Sequence, residues 1–175
     1  IIRDITERVR AEEALQNARE RLQSEINLAA QIQTNLMSRA IPKVDNFEFS
    51  AIAIPARFLS GDFYDLNALD DATHQLILGD ISGKGIPAAL LTLSTRSLIR
   101  SEVEIEKSPA KILTLVNQAL YPDLDQAELF ITLFIAQVAL ETGQILYASA
   151  GHGEALIWRQ IENQIIELKA TGLPV

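Results

Sequence analysis

Hydrophobic positions recur along this chain with two different periods, and the change of period divides it. From Arg3 to Arg39 there is no glycine or proline, and charged residues are dense. Leu15, Leu22, Ala29 and Leu36 recur every seventh position, and Ala11, Ala18 and Ile32 each stand four residues before one of them. A narrow seven-residue seam of this kind is the pattern of a coiled coil, and it predicts one continuous helix over 11–37, a rod of about 40 Å, that pairs with a second copy. Glu25 interrupts the seam at one core position, and Ile26 beside it marks a shift in register. The competing reading is an amphipathic helix lying on its own domain.

Past Pro42 the period falls toward two. Residues 47–54 alternate as in a strand with one buried face, and 63–69 with 74–81 form a hairpin around the acidic turn at 70–73. Pro87, after Gly83 and Gly85, suits the first turn of a helix reaching about residue 100. Ser108 followed by Pro109 reads as an N-cap and first turn, with the helix ending near Leu120. Strands follow at about 130–140, 144–149, 155–159 and 164–168. Strand, hairpin, two helices and a run of hairpins give an α+β fold with mainly antiparallel sheet, since a parallel sheet needs alternating strands and helices.

Composition narrows the function classes. A chain of 175 residues that is 48% hydrophobic can bury a core. Its 15 Lys and Arg against 23 Asp and Glu leave a formal charge of −8, which argues against a nucleic-acid partner and fits a protein partner or a cation. Without cysteine there is neither a disulfide framework nor a thiolate zinc site. No apolar run approaches the roughly 20 residues of a membrane span, and no leader precedes the first helix, so the expectation is a soluble cytoplasmic protein without membrane insertion.

Against this background two aspartates stand out. Asp62, in Ser60-Gly61-Asp62-Phe63-Tyr64-Asp65, and Asp80, in Gly79-Asp80-Ile81-Ser82-Gly83-Lys84-Gly85, each adjoin an apolar run. An ionised carboxylate leaves water at high cost unless it is paired or bound to a cation. Two of them at neighbouring strand ends, beside a glycine-rich turn, predict a site for a hard divalent ion. Taken singly, each is equally an Asx turn or a helix cap. The glycine turn is not a nucleotide loop: only three residues separate Gly79 from Gly83, and Gly85 stands where that loop needs a hydroxyl. Lys84 in that turn could neutralise an anion at the site or simply be solvated. Asp65, three residues beyond Asp62, points away from it on a regular strand and serves the site only indirectly if the strand bends. His152 lies between Gly151 and Gly153, where a bond to the main chain or a proton-donating role is open to it. Trp158 and the phenylalanines are expected in the core.

These residues resemble a known family. The two aspartate motifs, with Ile86-Pro87-Ala88-Ala89-Leu90 after the second and Ala150-Gly151-His152 later, are similar to the bacterial PPM-type (protein phosphatase 2C-like) serine/threonine phosphatases of the SpoIIE branch. Gln31-Ile32-Gln33, Pro55-Ala56, Ser108-Pro109, Asn117 and Phe130-Ile131-Thr132 fall in the expected order. Residues 1–15, with Ile1-Ile2-Arg3-Asp4-Ile5-Thr6-Glu7-Arg8, resemble the last strand and exit of a PAS sensor, so the resemblance divides the chain into a sensor end at 1–10, a coiled-coil linker at 11–40 and a phosphatase domain at 41–175.

The resemblance implies an αββα sandwich of two mainly antiparallel sheets flanked by helices. It also implies Asp62, Asp80 and the backbone carbonyl of Ile81 as metal ligands, with two Mn²⁺ or Mg²⁺ ions per complete site. The implied reaction is hydrolysis of phosphoserine or phosphothreonine, with a STAS-type anti-sigma-factor antagonist as the typical phosphorylated protein substrate. Ser60 departs from the branch's usual glycine, and Gly153 from its usual proline. The family's remaining acidic ligands would lie beyond Val175, so the 175 residues by themselves are expected to be inactive. The alternative from another class is a dimeric regulatory module with this fold and no turnover.

Overall fold

The computed structural model describes residues 6–37, 41–45, 47–55 and 58–175. The N-terminal helix α1 spans Thr6–Met37. Of the expected sensor end, residues 1–5 lie outside the described residues and 6–10 form the first turns of this helix. Most of α1 is exposed, and only its last third meets the rest of the chain, where Ile26, Ala30, Gln33 and Met37 are turned inward. That inward stripe lies beside the seam of Leu15, Leu22, Ile32 and Leu36, which remains exposed. The helix therefore has two apolar faces, and its own domain covers one.

Strands β1 (Asp62–Ala68), β2 (Thr73–Ile81), β3 (Ile131–Ala139) and β4 (Ile145–Ala150) form one antiparallel sheet in chain order. Two helices, α2 (Ile86–Ile105) and α3 (Pro109–Ala127), join β2 to β3. They pack on one face of the sheet, where Phe63, Ile77, Ile81, Ile131, Leu133 and Ile135 meet Ile99, Val103, Ile112, Val116, Leu120 and Leu124. Gly79 is part of this packing: a Cβ there would lie 2.2 Å from the Phe63 ring, so the glycine before Asp80 admits the aromatic side chain opposite it. A two-stranded hairpin of β5 (Ala155–Arg159) and β6 (Gln164–Leu168) makes the second sheet. It shares an apolar cavity of about 460 Å³ with the other face of the first sheet, between residues such as Leu156 and Leu168 and residues such as Leu76 and Phe134. The fold is α+β with antiparallel sheets, as the order of elements predicts.

Three expectations are corrected. Residues 47–54 alternate but form no strand, because no strand among the described residues pairs with them beyond an isolated bridge between Val44 and Phe47. Helix α3 continues past Pro122 to Ala127, since burial of Leu124 in the core outweighs the backbone bond that proline removes. Phe63 and Phe134 are buried as expected, but Trp158 on β5, Phe58 and Phe130 are more than half exposed and lie outside the core.

Candidate metal centre

Asp62 opens β1 and Asp80 stands next to last in β2, and the register sets the two directly opposite each other. Directly opposed residues in an antiparallel pair project from the same face with Cβ atoms about 4.5–5.5 Å apart, close enough for their carboxylates to interact. Partial burial holds the Asp80 carboxyl above its ordinary value of 3.8, and the hydrogen bond and charge of Asp62 raise it further; His152 acts in the opposite sense. This is the electrostatic signature of a like-charged pair that a cation would relieve.

The surroundings hold the pair in place. Ser60 Oγ accepts from the Asp62 amide at 3.1 Å and donates to the Asp62 carbonyl at 3.0 Å, a turn closed by the hydroxyl that a glycine would lack. Gln33 of α1 grips the Ser60 main chain on both sides, its Nε2 donating to the carbonyl at 2.9 Å and its Oε1 accepting from the amide at 3.0 Å. Thr92 of α2 donates to the Gly61 carbonyl at 3.0 Å. Beyond β2, Gly83 and Gly85 adopt φ of 91° and 80°, the left-handed region that glycine enters without strain, and this folds the chain back into α2. Ser60, Gly61, Asp62, Asp80, Gly83 and Lys84 thereby border a cleft of about 130 Å³. Lys84 is exposed on its rim and makes no ion pair among the described residues. The Ile81 carbonyl lies against Gly61, where an added Cβ would stand 2.9 Å from its oxygen.

Asp65 does not belong to this cleft. It is 4% exposed on the opposite face of β1, where Arg96 Nη2 donates to its Oδ1 at 3.2 Å and Arg100 Nη2 at 3.0 Å, while Arg100 Nε donates to Oδ2. The strand keeps its alternation and does not bend, so Asp65 cannot serve the cleft from this position; it anchors α2 to the sheet. His152 comes to the edge of the site. Its Nδ1 lies 2.9 Å from Thr132 Oγ1, a side-chain partner in place of the main-chain one considered from sequence, and Thr132 stands opposite Asp80 on β3. The sequence drew attention to Thr132 and Gln33 only through resemblance; nothing local in either segment announces a partner so distant along the chain.

Among the described residues no three His, Cys, Asp or Glu side chains converge on one point. The donors present are all oxygens: two facing carboxylates with a main-chain carbonyl beside them. They fit a hard cation such as Mg²⁺ or Mn²⁺, and they supply fewer than the six ligands of an octahedral ion.

The overall arrangement is that of the protein phosphatase 2C domains. The SiaA-PP2C domain of Pseudomonas aeruginosa superposes with a TM-score of 0.70 over 90% of this chain and 63% of that one, at 21% identity. RsbX in complex with magnesium gives 0.53 over 66% and 54%, at 19% identity. The chain belongs to the Stage II sporulation protein E (SpoIIE) family, whose model matches residues 70–175. Phosphoserine phosphatase RsbU of Bacillus subtilis is 32% identical over 161 residues, which cover 92% of this chain and 48% of RsbU. The chain thus spans about half the length of that relative. No helix among the described residues is long and apolar enough to cross a membrane.

Proposed function

We propose that this chain carries the catalytic region of a metal-dependent serine/threonine protein phosphatase in bacterial signalling. The observation that carries this reading is the direct opposition of Asp62 and Asp80 beside the Gly83–Gly85 turn. Asp62, Asp80 and the Ile81 carbonyl would hold Mn²⁺ or Mg²⁺, two ions in the complete site; the family membership, the name of RsbU and the magnesium in RsbX support this assignment. Bound divalent ions would supply charge stabilisation at the phosphoryl oxygens and activation of an attacking water.

The chain's own residues have separate tasks. Asp62 and Asp80 offer negative oxygens, which repel a phosphate unless a cation intervenes, so they bind the cation and not the substrate. Gly83 and Gly85 keep the cleft wall free of side chains, and Lys84 on the rim places a positive charge where an incoming phosphoprotein passes. The substrate is a phosphoserine or phosphothreonine on a protein, with a STAS-type anti-sigma-factor antagonist as the family's usual case. The exposed seam of α1 pairs with its copy in a homodimer, with a PAS-like sensor upstream.

Release of phosphate from a phosphoserine protein by the full-length gene product, with and without Mn²⁺, tests the assignment. Asp62→Asn and Asp80→Asn should each abolish Mn²⁺-dependent release and leave the fold intact. A parent protein that releases no phosphate under saturating Mn²⁺, yet dimerises, would identify it as the non-catalytic regulatory module instead.

A further inference from the structure

Four polar side chains run in a row across one end of the main sheet: Asp62, Asp80 and Thr132 in direct register on β1, β2 and β3, then His152. The histidine arrives there because β4 ends in a forced turn. Gly151 has φ of 64°, and a Cβ on it would run into Pro174 at 2.4 Å, so the chain turns back over the end of β3. Two contacts then fix the residue. Ser149 Oγ reaches the His152 carbonyl at 3.5 Å, and Nδ1 lies 2.9 Å from Thr132 Oγ1. The Thr132 hydroxyl faces the Asp80 carbonyl oxygen at 3.5 Å. With its hydrogen directed there, Oγ1 presents a lone pair to Nδ1–H; both ring nitrogens carry protons only in the imidazolium, and in that form Nε2–H is the donor left free. Nε2 has no hydrogen-bond partner among the described residues, and the imidazole is only half buried.

We propose that His152, oriented by Thr132, donates the proton from Nε2 to the seryl or threonyl oxygen as it leaves phosphorus. The inference rests on the phosphatase reading above. As a water oxygen bonds to phosphorus, the bond from phosphorus to the side-chain oxygen breaks. That oxygen takes the Nε2 proton and departs as an alcohol, the attacking water gives one proton to solvent, and the neutral imidazole regains its own from solvent. An alkoxide is a strongly basic leaving group, so a positioned acid matters here. p-Nitrophenolate is a weak base and leaves without one.

The test compares two substrates on the full-length protein with saturating Mn²⁺. His152→Ala should lower kcat on a phosphoserine protein by about a hundredfold or more, the usual worth of a general acid, and lower it on p-nitrophenyl phosphate by less than about fivefold. Thr132→Val, which keeps the shape and removes the hydroxyl, should show the same selectivity to a smaller degree. The concentration of Mn²⁺ giving half-maximal rate should not move in either variant. Equal losses on both substrates, a shifted Mn²⁺ requirement or an undiminished phosphoserine rate would each overturn the assignment. If the parent cleaves neither substrate, the phosphatase reading itself fails, and this role fails with it.

Discussion

Asp62 and Asp80 are each other's direct cross-strand neighbours, so the site's two carboxylates are placed by the hydrogen-bond ladder of one hairpin and not by a mobile loop. Like charges set opposite each other destabilise a strand pair by up to about 1 kcal/mol. The folded chain therefore carries a repulsion that a bound cation would relieve.

The first prediction concerns the chelated protein. The Asp80 carboxyl is held above 3.8 by burial, then by the hydrogen bond and charge of Asp62, so the folded state binds its proton more tightly than the unfolded chain. The resulting stability is present below the unfolded value and is lost as pH rises through the folded one. Asp80→Asn removes that loss. In EDTA at neutral pH the variant should melt up to about 2–4 °C higher than the parent, the equivalent of about 1 kcal/mol in a chain of this size. This advantage should shrink as pH falls toward 4. Mn²⁺ should raise the melting temperature of the parent alone. A variant less stable than the parent in EDTA at neutral pH would show that the pair is not strained.

The second prediction separates Asp65 from the site. Its carboxylate is the shared acceptor of Arg96 and Arg100, both of them largely buried between α2 and β1. Removing one partner of a buried ionic group typically costs about 3–5 kcal/mol, because the remaining charges stay out of water. Asp65→Ala should therefore lower the denaturant midpoint sharply in urea unfolding. The Mn²⁺ affinity of the protein that remains folded should be unchanged. A weakened Mn²⁺ affinity with normal stability would return Asp65 to the site.

What the sequence disclosed follows from the range over which each interaction acts. The hairpin carrying the aspartates, the helix entered at Pro87 and the strands from β3 to β6 are marked by local turns, glycines and alternation. The distant partnerships are not. Arg96 and Arg100 are ordinary helix residues until α2 folds onto Asp65, and Gln33 is one more polar residue until α1 reaches Ser60. The alternation in 47–54 was misleading because a strand also needs a partner, which periodicity does not report. The inward stripe at Ile26, Ala30, Gln33 and Met37 was hidden by the stronger seven-residue seam beside it.

That seam gives the last prediction. Leu15 and Leu22 are 72% and 60% exposed on the single chain, ahead of the inward-turned stripe of α1 that begins at Ile26. A 32-residue helix cannot rest its leucines in water without cost, and the seven-residue spacing fits a two-stranded seam better than any lone surface helix. The proposed homodimer buries Leu22 against its counterpart, and each buried leucine contributes about 1.5–3 kcal/mol. Leu22→Asp forfeits both and brings two carboxylates together, so the dissociation constant should rise by about a hundredfold or more. The globular part should keep its melting temperature, since Leu22 contributes nothing to that core. Light scattering on parent and variant at micromolar concentration decides the point. A parent that is monomeric there would remove the dimer, and a variant that stays dimeric would move the interface off the seam.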